Sequence, residues 1–154
     1  MTAFNRQFGC RVAGIAIDDE RVLLENYKEE DFWALPGGGI NFLETAEEAL
    51  RREMREELGV EIQVGRLIWV VENFFTNNGK SYHEVGLYFS ITLPEKAQVR
   101  QTRDAFISKD DTLKTTFRWH QLSELTNITL YPPFLQRGLM MIPDETEHII
   151  DNSL

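Results

Sequence analysis

Glu53, Glu56 and Glu57 fall within little more than one helical turn of a segment, residues 46–58, built almost wholly from good helix formers. Within it Ala46, Leu50, Met54 and Leu58 recur every fourth residue as an apolar stripe. At roughly 100° per residue, Glu57 projects from the sector of Leu50 and Ala46, with Glu53 beside it and Glu56 just beyond. Three carboxylates therefore crowd the edge of an apolar face. Like charges in a partly desolvated place raise one another's pKa and cost free energy unless a cation sits among them. A hard divalent ion with oxygen ligands, Mg²⁺ or Mn²⁺, is the natural occupant where substrate phosphates complete the shell. The competing reading is a solvated acidic helix face laced by pairs such as Glu48 with Arg52. Against it stands the fixed register of these acids with Arg52 and with the glycines upstream.

The elements around the acids can be read from the same stretch. Thr45 followed three residues later by Glu48 is a capping-box pair, and Gly59 supplies a left-handed stop. The segment is thus a glycine loop, one helix and a strand-like continuation. Residues 38–60 spell G-x5-E-x7-R-E-(apolar)-x-E-E-x-G-(apolar) without a departure. This pattern resembles the signature box of the Nudix hydrolase superfamily, in its MutT-like form.

The resemblance implies an α/β fold, an α/β/α sandwich around a mixed sheet, and a metal-dependent hydrolase that cleaves phosphoanhydride bonds. Its substrate would be a nucleoside diphosphate linked to another group, with a nucleoside triphosphate, modified or not, in first place. Glu53, Glu56, Glu57 and the Gly37 carbonyl would ligate Mg²⁺ or Mn²⁺. Arg52 would orient Glu53, and Glu44 would hold the loop against the helix. A non-catalytic module that senses a nucleotide without cleaving it is the alternative, but such modules usually lose a box carboxylate and all three are present. Subfamily markers mostly subtract. Leu23-Leu24-Glu25-Asn26-Tyr27 does not match the coenzyme A type, and no proline between Val60 and Leu93 supports the NADH or ADP-ribose types. The implied partner is a small-molecule nucleotide, and a homodimer is compatible with the reading.

Composition limits the rest. A chain of 154 residues, 42% hydrophobic and 27% charged, suits one soluble domain over residues 1–154. Sixteen basic against twenty-five acidic residues give a net charge of −9, which disfavours nucleic acid and anionic membranes as partners and with them an RNA-processing role. The single Cys10 reads as a small buried hydrophobe. The short apolar run at residues 12–17 resembles neither a signal peptide nor a membrane span, so a cytoplasmic protein is expected.

Along the chain, residues 11–17 and 21–27 read as strands, and residues 61–75 as one bent strand or two. Asn78-Gly79 marks a tight hairpin turn into a strand at residues 81–93. Residues 94–112 form a polar loop, and residues 115–120 a further strand. A second helix is expected at about residues 133–141, and Asp144 with Glu147 is expected to cap a short terminal helix.

In-line attack on phosphorus needs a proton acceptor. Glu53 is the first candidate and Glu84 the second, with Glu72, Asp104, Asp110 and Asp111 as alternatives in other loops and strands. Arg11, flanking a strand near the glycine loop, could hold a substrate phosphate with its planar fork. Aromatic rings gather where a flat substrate could stack: Phe32 and Trp33 before the loop, then Trp69, Phe74 and Phe75 after the helix, with Trp33, Phe74 and Phe75 taken as substrate-binding.

Overall fold

Val12 and Ala13 are both buried, yet they belong to different cores. Val12 packs with Ala49, Leu50 and Met54, whereas Ala13 packs with Leu125, Leu130, Leu135 and Leu139. Val22, Leu23 and Leu24 divide in the same alternating way. A strand buried on both faces reads as a continuous apolar run, as Val22-Leu23-Leu24 does, and it requires a layer on each side.

The computed structural model supplies those layers, and describes residues 6–108 and 114–154. A mixed five-stranded sheet runs β4 (Gly37–Gly39), β1 (Arg6–Ile15), β6 (Lys80–Thr92), β5 (Gln63–Asn77), β9 (Glu147–Asn152). A second, antiparallel sheet runs β2 (Ile17–Asp18), β3 (Arg21–Tyr27), β8 (Thr115–Gln121), β7 (Phe106–Ile107). Helix α1 (Ala46–Leu58) closes one core, and a 3-10 turn (Leu122–Asn127) with α3 (Leu135–Gly138) covers the other. The result is an α/β/α sandwich. Strands β1 and β6 are parallel, β5 and β6 form the hairpin, and β9 adds in parallel to β5. At the hairpin tip Asn78 and Gly79 take φ values of 49° and 73°, the left-handed pair that a primed turn needs.

Five expectations change, one of them at Cys10, which is exposed on β1 and not a buried hydrophobe. The first strand starts at Arg6 and not at residue 11, because its first half gains a full parallel register along β6. The polar loop contains, among its described residues, the one-turn helix α2 (Gln98–Gln101) and the short β7. The helix expected at residues 133–141 shrinks to α3, with Leu135 and Leu139 buried on the second core and the preceding residues held in turns whose N–H groups, on Leu135 and Gln136, donate to the Pro132 and Pro133 carbonyls at 3.1 and 3.2 Å. The terminal helix is a strand: residues 147–152 pair with β5 from Trp69 to Phe74. A short terminal helix is marginal by itself, whereas the open edge of β5 offers this segment a complete ladder.

Among the described residues no helix is long and apolar enough to cross a membrane.

Candidate active site

Thr45 and Glu48 cap α1 reciprocally. The Thr45 hydroxyl accepts from the Glu48 N–H at 3.2 Å, and the Thr45 N–H donates to Glu48 Oε2 at 2.8 Å. Gly59, at φ 65°, ends the helix by donating to the Arg55 carbonyl at 3.0 Å. Leu50 and Met54 are fully buried, so the rotation of α1 about its axis is fixed.

Arg52 ties the preceding loop to this helix with every nitrogen of its guanidinium. Nε and Nη2 hold the two oxygens of Glu44 at 2.7 and 3.0 Å, Nη2 also donates to the Gly39 carbonyl at 3.0 Å, and Nη1 donates to Glu53 Oε1 at 2.9 Å. Glu56 Oε2 lies 3.5 Å from the same Nη1. A planar fork suits such convergent carboxylate contacts in a way a lysine could not.

Two glycines of β4 are there for close approach. A Cβ on Gly37 would lie 2.0 Å from the Val12 carbonyl oxygen, so β4 could not pair with β1. At Gly38 it would lie 2.3 Å from Glu53 Oε1, inside the seat of the carboxylate that Arg52 holds.

Glu57 is 5% exposed, and its Oε2 has no hydrogen-bond partner. Burial pushes its pKa up to about 9, with the nearby Glu25 and Glu53 adding to the shift. Burial likewise raises Glu25 to about 7, against the opposing pull of Arg11. Glu53 is raised for the same reason, with Arg52 holding it back. Metal-free, the protein has placed more acids here than it can keep ionised.

That donor set fits an oxygen-ligated divalent ion, since hard carboxylates converge beside a buried oxygen that lacks any partner. Among the described residues no three of the acids are poised around one point. Glu53 and Glu56 lean to Arg52 instead. Arg11, Glu25, Glu53 and Glu57 all line a cleft of about 700 Å³.

Residues 9–139 match the NUDIX domain family. The chain belongs to the Nudix hydrolase family. Two curated relatives match over part of the chain. Diphosphoinositol polyphosphate phosphohydrolase 2 of Rattus norvegicus is 34% identical over 70 residues, 46% of this chain and 39% of that protein. RNA pyrophosphohydrolase of Halorhodospira halophila is 50% identical over 46 residues, 30% of this chain and 25% of that one. The chain thus spans well under half the length of each. Solved structures agree over nearly the whole fold. A MutT protein from Bacillus halodurans superposes with a TM-score of 0.61 at 16% identity, covering 91% of this chain and 89% of its own. An ADP-ribose pyrophosphatase from Streptococcus suis does so with 0.58 at 14%, covering 93% and 98%.

Of the residues singled out from the sequence, Gly37, Glu53, Glu57, Arg11, Glu84 and Phe75 line the cleft of this Nudix domain. Arg52 and Glu56 stand just behind, with the Glu56 side chain half exposed. Two aromatic residues are not brought there. Trp33 packs edge-on against His120, with ring centroids 4.5 Å apart, and supports the second core. Phe74 stacks on His83 at 4.3 Å, and Phe8 meets that histidine edge-on at 5.0 Å. Since successive strand residues face opposite ways, Phe75 takes the cleft side and Phe74 cannot. Of the alternative bases, Glu72 is bound to His148 Nε2 at 2.7 Å on the Phe74 side, and Asp104 sits in an exposed bend. Asp110 and Asp111 lie outside the described residues.

Sequence reasoning missed Glu25, Tyr82 and Tyr131. Tyr82 stacks on Phe75 at 4.9 Å with the rings 5° from parallel, and Tyr131 meets Phe32 edge-on at 5.0 Å, all four lining the cleft. The signal for Glu25 was present, a carboxylate inside the apolar run of β3, where a buried acid needs a reason.

Proposed function

We propose that this protein is a metal-dependent pyrophosphohydrolase whose substrate is a nucleoside diphosphate linked to another group, with a nucleoside triphosphate, modified or not, in first place. The observation that carries the reading is the buried acid cluster, with the unpartnered Oε2 of Glu57, opening onto a cleft that also holds two aromatic pairs. Mg²⁺ or Mn²⁺, when bound, would neutralise phosphate charge and lower the pKa of a water. Glu53, Glu56, Glu57 and the Gly37 carbonyl would hold it.

The chain's own residues divide the remaining work. Arg52 orients the Glu53 carboxylate through the hydrogen bond from its Nη1. Arg11 meets a phosphate oxygen from the β1 side. Glu53 or Glu84, both in the cleft, accepts the proton of the attacking water. Phe75 with Tyr82, and Phe32 with Tyr131, offer faces and edges on which a base can stack.

Charge favours the nucleotide over the inositol polyphosphate in a relative's name. Among the described lining residues Arg11 is the single cation, against Glu25, Glu53, Glu57 and Glu84. A ring bearing many phosphates beyond the diphosphate would find nothing there to pair with, whereas an uncharged planar base would find aromatic rings. The retention of all three box carboxylates supports catalysis over sensing. The test is a panel of nucleoside triphosphates, dinucleotides, a diphosphoinositol polyphosphate and a 5′-triphosphorylated RNA, each with Mg²⁺ and with Mn²⁺, following released phosphate and pyrophosphate. Turnover confined to the inositol or RNA substrates would overturn the nucleotide reading, and no turnover at all would overturn the hydrolase.

A further inference from the structure

We propose that Glu25, outside the Nudix box, is a positioning residue that aims the Arg11 guanidinium into the cleft; this rests on reading the cleft as a diphosphate site.

Glu25 is held unusually firmly for a cleft residue. Its backbone pairs with Phe117 of β8 on one side, and on the other exchanges two hydrogen bonds with Ala34, at 2.8 and 2.9 Å. Its Cα is therefore fixed, and its side chain is only 12% exposed. Oε1 accepts from Arg11 Nη2 at 3.4 Å, and Nη2 donates also to the Leu35 carbonyl at 3.0 Å. Both contacts use the same nitrogen. Nε and Nη1 of Arg11 have no hydrogen-bond partner in the protein among the described residues, while the side chain stays 29% exposed on the cleft.

A purely structural ion pair would look different. Burying a carboxylate and a guanidinium is costly, and the cost is offset only by good geometry with the remaining donors and acceptors satisfied. Here the contact is long and single, Glu25 Oε2 is buried without a hydrogen-bond partner, and Nε and Nη1 of the guanidinium are left without one. As a support for the fold this is poor. As a bracket it is effective, because one nitrogen of a rigid fork is pinned on two acceptors while Nε and Nη1 are left to donate to an anion. Arg11 is also surrounded by Glu53, Glu57 and Glu84, any of which could draw a loose guanidinium away. Glu25 and the Leu35 carbonyl together fix which way it points.

The test is a double-mutant cycle on R11A, E25A, E25Q and R11A/E25A, reading pyrophosphate affinity by calorimetry with and without Mg²⁺. It is paired with the NMR signal of the Arg11 Nε–H, assigned by its absence in R11A. Expected are about tenfold weaker binding for R11A and for E25A, no further loss for E25A in the R11A background, and partial rescue by E25Q, which keeps an acceptor for Nη2. The Arg11 Nε–H signal should broaden in E25A and persist in E25Q. The proposal is overturned if E25A weakens binding equally in both backgrounds, if the Arg11 signal is unchanged in E25A, or if E25A abolishes the Mg²⁺-induced thermal shift while pyrophosphate still binds, which would make Glu25 a metal ligand. Should R11A bind pyrophosphate as wild type does while the signal still responds to Glu25, the positioning stands and the diphosphate reading of the cleft falls.

Discussion

The acidic and the aromatic parts of the cleft are built by opposite means. Around Arg52, one guanidinium closes a network on Glu44, Gly39 and Glu53, all within residues 39–53, and the helix that carries it is capped at both ends by local rules. The aromatic part takes Phe32 from a loop, Phe75 and Tyr82 from the two arms of a hairpin, and Tyr131 from the approach to α3. A local network tolerates no substitution but is rigid in advance, whereas an assembled one spreads its contribution over several rings. Damage to the first should therefore appear in turnover and damage to the second in binding.

The largest effect belongs to Glu57. E57Q keeps the shape of the side chain and removes the buried charge, and it should lower kcat by about a thousandfold, on the order of 4 kcal/mol in the barrier. The measurement is steady-state turnover at saturating Mg²⁺, together with a melting curve to show an intact fold. Activity within a few-fold of wild type would mean that the acids are only a polar helix face.

The same residue predicts a pH dependence. The folded pKa of Glu57, about 9, stands above its ordinary 4.5, so the stabilisation it gives is complete below 4.5 and is lost as pH rises toward 9. Metal-free wild type should lose melting temperature across that window relative to E57Q, and Mg²⁺ should restore it most at the alkaline end, where the ion replaces the proton. Parallel melting curves for the two proteins, with and without Mg²⁺, decide the matter. Equal slopes would show that the cluster is solvated.

Next comes the loop. G38A places a methyl carbon 2.3 Å from where Glu53 Oε1 now sits, so the carboxylate must leave the hydrogen bond to Arg52. A displacement of that kind should cost about a hundredfold in kcat. Gly39 has open space beside it, so G39A should cost far less. Equal losses for the two variants would show that backbone freedom, and not the seat of Glu53, is what the loop requires.

How far the sequence reached follows the same division. The Thr45–Glu48 cap, the Gly59 stop, the Asn78-Gly79 turn and the bounds of β3 were legible because each depends on residues a few positions apart. The strand at residues 147–152 was not, since nothing in His148-Ile149-Ile150 says that an open edge of β5 awaits it. Arg52 and its partners could be named from the box, but Glu25 enters the site only through a contact between the two sheets, from β3 of one to Arg11 on β1 of the other. The side on which each aromatic ring falls was hidden for a specific reason. Register shifts at Val64/Leu67 and Leu67/Trp69 reset the alternation, so Ile62, Val64 and Leu67 join the core under α1 while Trp69 and Val71 face the other way.

That reset yields the smallest and sharpest prediction. After the bulges odd positions of β5 face the cleft, and Phe75 stacks there on Tyr82, whereas Phe74 lies against His83 on the far side of the sheet. Removing one stacking ring should cost roughly 1–3 kcal/mol of base binding. F75A should therefore raise KM about tenfold with kcat little changed, because a ring remote from the phosphates contacts substrate equally in the ground and transition states. F74A should leave KM alone and lower only the melting temperature. Kinetics of the two variants on the preferred nucleotide give the answer directly. A KM effect in F74A and none in F75A would mean that the phase of β5 is opposite to the one described, and it would remove the Phe75–Tyr82 pair from the binding site.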